Sequence, residues 1–133
     1  MHDYIESSAQ VEEYLANVKR VLCEVTFDIS NDFEILLSSI EGKPGYQNFE
    51  TLSDLGYTSV DVRDVLLSLT TKDYHRTMID NKEYSDSAFR VFGRQMNGKE
   101  VYIKIKIRKS ETKQVFCISF HYASYPITKP FVV

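Results

Sequence analysis

The chain has 133 residues, 43% of them hydrophobic and 26% charged, which suits a single domain able to bury a core without disulfides. Its net charge of −3 hides an asymmetry: residues 1–64 hold 4 Lys/Arg against 13 Asp/Glu, whereas residues 65–133 hold 12 against 6. That split suggests an acidic half and a half suited to a polyanion, although lysines on a solvated sheet face would give the same count. The N-terminus MHDYIESSAQ lacks the basic-then-apolar pattern of a signal peptide, and no apolar run approaches the ~20 residues that span a bilayer, so a cytoplasmic protein is expected. Cys23 and Cys117 are far apart in apolar settings and read as two buried, reduced thiols, with no zinc pattern.

Residues 8–23 predict a helix, with Val11, Tyr14, Leu15, Val18 and Leu22 at helical spacing. Residues 24–30 alternate and predict a strand or extended segment. Phe33, Leu36, Leu37 and Ile40 support a short helix over 32–40, after which Gly42, Pro44 and Gly45 break the chain. Residues 49–55 predict a helix closed by Gly56, and Ser59 is placed to cap the next one, with Val62, Val65, Leu66 and Leu69 on its inner face. Residues 71–78 predict a further helical turn or two, with Arg76 as a helix-end cation, and 81–87 a polar loop. From Ala88 the period changes to two. Strands are expected over 88–95, 100–108 and 114–121, joined by Asn97-Gly98 and by a turn at 110–113, in a three-strand meander. The tail carries Pro126 and Pro130 and is no central strand. Helices first and antiparallel sheet second predict one α+β domain over residues 1–133.

The richest stretch is 101–121, VYIKIKIRKSETKQVFCISFH. Side chains alternate along a strand, so Val101, Ile103, Ile105 and Ile107 share one face while Tyr102, Lys104, Lys106 and Arg108 share the other. In the last strand Phe116, Ile118 and Phe120 are expected on the apolar face, and Val115, Cys117, Ser119 and His121 beside the tyrosine and lysines. Fixed positive charge, a phenol and an imidazole on one face can bind anions and move protons. The chain has no phosphate-cradling glycine loop, no GxSxG, no HExxH and few carboxylates in its sheet half, which argues against a two-metal nuclease. What remains is a metal-free basic site without a cofactor. RNA suits such a site because it carries its own nucleophile, the 2′-hydroxyl. A base removes that proton, cations stabilise the phosphorane and an acid protonates the leaving 5′-oxygen. His121, the one histidine of the sheet region, is of the residue type whose ordinary titration range suits proton transfer at neutral pH. Taken singly, Tyr102, Lys104, Lys106 and His121 are also ordinary solvated-face residues.

Five segments together resemble the MqsR family of toxins from bacterial toxin–antitoxin systems. They are LSDLG at 52–56, VLLSLTTKDYHRTM at 65–78, VFG at 91–93, GKEVYIKIKI at 98–107 and CISFH at 117–121. The resemblance runs from Leu52 to His121, is most specific in its last two segments, and leaves residues 1–47 as a divergent helix-and-strand region. It implies a RelE-like fold, with N-terminal helices packed on a twisted antiparallel sheet. It also implies an mRNA interferase: a metal-independent endoribonuclease that halts translation and is held inactive by a cognate antitoxin protein. By position, the family's basic residue after the DYH element is Arg76, the tyrosine heading the YIKI strand is Tyr102, and the cation after ISF is His121. On this reading Arg76 and Lys104 stabilise phosphate charge, Tyr102 orients or protonates the scissile phosphate, and His121 is the general acid or base. Arg90, Arg94 and Lys106 contact neighbouring phosphates of the RNA, and Phe92 either stacks a base or joins the core. One departure is plain: the family's glutamine two positions before the VF pair falls on Phe89, leaving Arg90, Arg94 or Gln95 to replace its contact. That departure supports a second reading, a non-catalytic RNA- or protein-binding module on the same fold, of phage or plasmid origin.

Overall fold

A computed structural model describes residues 2–24, 27–79, 88–108 and 114–132. In chain order it contains β1 (His2–Tyr4), α1 (Ser8–Leu22), β2 (Phe33–Ile35), α2 (Tyr46–Leu55), α3 (Ser59–Ser68), a 3₁₀ turn (Thr71–Asp73), β3 (Tyr74–Ile79), β4 (Phe89–Met96), β5 (Lys99–Arg108) and β6 (Gln114–Tyr122). The fold is α+β, as its order of helical and alternating segments predicts. The six strands form one sheet in the order β1-β3-β4-β5-β6-β2, antiparallel throughout except for β2, which runs parallel to β6 at one edge.

Local chemistry accounts for the helix boundaries. Ser7 and Gln10 form a reciprocal capping box at the start of α1, and Lys19 and Arg20 sit in its last turn, where cations oppose the helix dipole. Gly45 precedes α2 in the left-handed region, and a Cβ there would stand 2.9 Å from the Leu36 backbone, so only glycine fits. Asp61 accepts from the Thr58 amide, so Thr58 rather than Ser59 caps α3. Asn97 and Gly98, both with positive φ, make the β4–β5 turn.

One face of the sheet is buried beneath the helices. Val11, Leu15, Val18 and Leu22 of α1, Leu52 of α2 and Val62 and Leu66 of α3 pack with Tyr74, Phe92, Val101, Ile103, Ile105, Cys117 and Phe120. Phe92 is fully buried there, which leaves it the core role and not base stacking.

Several expectations change. Residues 32–40 form no helix: Phe33–Ile35 are recruited as an edge strand by β6, with Phe33 opposite Val115. Of the four residues at helical spacing only Phe33 is buried, and Leu37 and Ile40 are 46% and 61% exposed. The strand or extended segment expected over 24–30 forms no strand among its described residues: 29–30 are turn, and Asp32 accepts from the Asp28 amide. α2 begins three residues earlier than predicted. After Asp73 the helical turn gives way to β3, so Arg76 is a strand residue. β1 has no sequence forecast at all. Cys23 is exposed at the end of α1, whereas Cys117 is buried, its thiol pushed up to about 12 by burial. The polar loop predicted at 81–87 and the turn predicted at 110–113 lie outside the described residues.

Candidate functional site

The outer face of the sheet, turned away from the helices, holds the candidate site, and two β-bulges decide which residues reach it. In β3 the pairing steps from Tyr74↔Phe92 to Arg76↔Val91, so His75 is the extra residue and Arg76 turns to the outer face. In β6 it steps from Ser119↔Lys104 to Cys117↔Ile105, so Ile118 is the extra residue. Above that bulge Ser119 and His121 lie beside Lys104 and Tyr102, as simple alternation predicts. Below it the alternation is reversed: Val115 and Cys117 enter the core, while Phe116 comes to the outer face opposite Lys106.

The register therefore forms rows across the sheet. Arg76, Val91, Lys104 and Ser119 make one row, and Gly93, Tyr102 and His121 the next. Neighbouring strands are ~4.8 Å apart, which puts the Arg76 and Lys104 backbones, two strands apart in one row, about 10 Å from each other. Tyr102 and His121 stack with ring centroids 5.4 Å apart and planes 16° from parallel. The His121 Nδ1 lies 3.0 Å from the Tyr122 carbonyl oxygen. Burial and the neighbouring Tyr125 phenol push the Tyr102 hydroxyl up to about 12, against the opposing pull of the Arg76 charge. Tyr102 is thus a protonated hydrogen-bond donor throughout the neutral range.

Arg76 is tightly placed. Its Nε donates to His75 Nε2 at 2.8 Å, and one terminal nitrogen meets Asp3 Oδ2 of β1 at 3.0 Å. His75 is buried, with Nδ1 2.6 Å from the Thr128 carbonyl oxygen. Desolvation, reinforced by the Arg76 charge, lowers its pKa and keeps it the neutral acceptor that Arg76 requires. The C-terminal segment that supplies Thr128 crosses this end of the face. Tyr125 meets the Tyr102 ring edge-on, Ile127 sits over Gly93, and Lys129 pairs with Glu100 at 3.0 Å.

Phe89 is buried on the outer face beneath two ammonium groups, Lys104 Nζ at 5.0 Å and Lys106 Nζ at 4.9 Å from its centroid. Arg108 covers Phe116 at 4.0 Å and pairs with Glu34 of β2 at 3.0 Å. A row of cations on aromatic supports thus runs down β5 beside the phenol–imidazole pair.

Arg76, Tyr102, Lys104, Lys106 and His121 all share this face. Arg90 and Arg94 do not, which corrects the phosphate-binding role predicted for them. They pair in register with Ile105 and Val101 and so point beneath the helices. There Arg90 meets Glu6 at 2.9 Å and covers the Tyr14 ring, and Arg94 meets Asp73 at 2.7 Å and bonds the Ser68 carbonyl at 3.0 Å. Gln95 donates to Glu100 at 2.9 Å, at the β4–β5 turn end of the strand and away from Phe89. Sequence reasoning missed His75, Asp3 and Tyr125; all three act through neighbours distant in the chain or through a bulge, and no local pattern marks them.

A family model described as "Motility quorum-sensing regulator, toxin of MqsA" matches residues 34–122. The match begins in β2 and ends with β6, takes in Arg76, Phe89, Tyr102, Lys104 and His121, and reaches further toward the N-terminus than the five similar segments do. No curated protein and no solved structure matches the chain. The family match covers well over half of the chain and every outer-face residue of the basic site, and the chain accordingly belongs to the MqsR family of toxins of toxin–antitoxin systems.

Proposed function

We propose that the chain is an mRNA interferase, an endoribonuclease that cuts single-stranded RNA by attack of the 2′-hydroxyl on the adjacent phosphate, without a metal ion. The observation that carries this reading is the Tyr102–His121 stack on the outer face, with Arg76 and Lys104 in the neighbouring row. The high pKa of Tyr102 divides the labour. A phenol that stays protonated is a donor, suited to hydrogen-bond the phosphate and pass its proton toward the leaving oxygen. His121 then takes the proton of the 2′-hydroxyl. The new 2′-O–P bond forms as the P–O5′ bond breaks, leaving a 2′,3′-cyclic phosphate and a 5′-hydroxyl. Arg76 and Lys104 stabilise the extra negative charge of the phosphorane, the kind of stabilisation that commonly contributes most to such catalysis. Lys106 continues the cationic row for a neighbouring phosphate. Cleavage of mRNA implies action in the cytoplasm and arrest of translation, with a cognate antitoxin as the restraining partner. No helix among the described residues is long and apolar enough to cross a membrane.

The test is incubation of the folded chain with single-stranded RNA in EDTA. Fragments ending in a cyclic phosphate are expected, with His121→Ala and Tyr102→Phe each reducing the rate at least about 100-fold, the scale of a lost acid or base. Binding without cleavage by the unaltered chain would favour a non-catalytic RNA-binding module.

A further inference from the structure

The segment that follows β6 reaches the Arg76 end of the outer face through a buried imidazole. The Ala123 amide donates to the Glu100 carbonyl at 2.8 Å, and Lys129 ties the segment to the Glu100 carboxylate at 3.0 Å. Ile127 seats over Gly93, and Phe131 stacks on the buried Tyr74 with centroids 5.7 Å apart. Thr128 lies between these anchors, which deliver its carbonyl oxygen to His75 Nδ1 at 2.6 Å.

The two contacts of the imidazole determine where its proton sits. A carbonyl oxygen only accepts, so Nδ1 carries the proton. The Arg76 Nε–H only donates, so Nε2, 2.8 Å away, is the bare acceptor. His75 is 2% exposed and is the extra residue of the β3 bulge, so its side chain turns into the structure while Arg76 turns out of it. An arginine on an open sheet face samples many rotamers. Here His75 takes Nε–H and Asp3 of β1 takes a terminal nitrogen at 3.0 Å, so the guanidinium plane is set before any substrate arrives. Both anchors, Thr128 and Asp3, come from outside residues 34–122, the span matched to the family. Such placement governs rate, because a displacement of about 1 Å can cost about 100-fold.

We propose that His75 is a positioning residue for Arg76: the Thr128 carbonyl holds the imidazole as its Nδ1–H tautomer, and the bare Nε2 orients the guanidinium toward the phosphate. The inference rests on the reading that Arg76 stabilises the scissile phosphate.

Two substitutions separate the two ends of the ring. His75→Asn puts an amide nitrogen where Nδ1 stands and keeps the bond to Thr128, but nothing reaches Arg76. His75→Gln extends an amide oxygen to the place of Nε2 and keeps the bond from Arg76, while giving up Thr128. His75→Asn should lower kcat on single-stranded RNA about 100-fold. Its affinity for an uncut 2′-O-methylated strand should change less than about twofold, because the Arg76 charge remains. His75→Gln should keep kcat within about fivefold of the unaltered chain. Long-range proton–nitrogen NMR spectra of the unaltered chain should show His75 as the Nδ1–H tautomer and a slowly exchanging Arg76 Nε–H. That signal should survive in His75→Gln and vanish in His75→Asn. An Nε2–H tautomer, or equal kcat in the two variants, overturns the proposal. So does a parallel loss of affinity and rate in both, which would mark His75 as purely structural. Where a variant fails to fold, the tautomer of the unaltered chain still decides. If the unaltered chain cuts no RNA, the nuclease reading fails instead, and the tautomer and Nε–H signals still decide how Arg76 is held.

Discussion

The resemblance of the sequence segments implies a glutamine where this chain has Phe89, and a phenylalanine cannot replace an amide as a hydrogen-bond donor. Its ring does something else: it lies beneath Lys104 and Lys106, two like charges on the same face of β5 that would otherwise repel each other. The negative π face attracts both ammonium groups and holds them over the site, an interaction worth about 0.5–1 kcal/mol at an exposed position. A double-mutant cycle measures this directly. Phe89→Leu keeps an apolar side chain but removes the π face, and should destabilise the fold by about 1–2 kcal/mol in urea unfolding. Repeated in a Lys104→Met, Lys106→Met background, the same change should be milder by about 1 kcal/mol. Strict additivity would sink the idea that Phe89 anchors the lysines. The sequence marks Phe89 as a departure from pattern but is silent on its compensation. That compensation depends on the register between β4 and β5, which a one-dimensional alternation does not contain. Arg90 and Arg94 illustrate the opposite error. They are cations in the right strand, but their parity sends them under the helices to Glu6 and Asp73.

At the scale of elements, what is legible follows from periodicity, and what is not follows from departures from it. α1, most of α3 and β5 bury in the core the residues that their spacing nominates, whereas in β6 only Phe120 does so. The errors sit at the bulges of His75 and Ile118, which reverse facing, and at the short edges β1 and β2, whose pairing comes from the strand beside them. Three-residue strands have too little period to read. The junction between β1 and α1 is fastened by a polar network instead. The Glu6 amide donates to the Tyr74 hydroxyl at 3.0 Å, that hydroxyl is 2.8 Å from Thr77 Oγ1, and Thr77 and Arg90 both donate to the Glu6 carboxylate. Burial alone would raise the Glu6 pKa, but the bonds from Arg90 and Thr77 and the Arg90 charge outweigh it and lower the value from 4.5. A lowered carboxylate pKa contributes stability that is fully present above about pH 4.5 and is lost as pH falls through the folded value. Glu6→Gln leaves Arg90 under the helices without its counter-charge and should destabilise the chain by about 3 kcal/mol at pH 7. The gap should narrow as pH falls below 4.5 and through the lowered folded value, where the unaltered Glu6 takes up its proton. Urea melts at pH 7 and through that fall check this, and a constant gap would refute the ionised pair as its source.

For the whole molecule, topology turns a charge asymmetry along the chain into one across space. The acidic first half supplies α1, α2, most of α3 and the edge strands β1 and β2, while β3 to β6 supply Arg76, Lys104, Lys106 and Arg108 on the outer face. The −9 and +6 halves were legible from counting; that the positive charge concentrates on one face, with Arg90 and Arg94 withdrawn from it, was not. An RNA strand on that face displaces counterions, so its affinity should fall linearly on a log–log plot against salt, by about 0.7 per phosphate neutralised on a single strand. Lys104→Ala and Lys106→Ala together should therefore shallow the slope by about 1.4, as measured by fluorescence anisotropy with a 2′-O-methylated oligonucleotide between low and moderate salt. Lys19→Ala and Arg20→Ala, two equally real charges exposed in the last turn of α1, should leave the slope alone because that helix packs against the opposite face. The pairing of these two double variants separates a face from a net charge. Both remove two positive charges from the molecule, so an equal change in slope would mean that RNA responds to overall charge, and only an unequal one is compatible with a strand lying along β5.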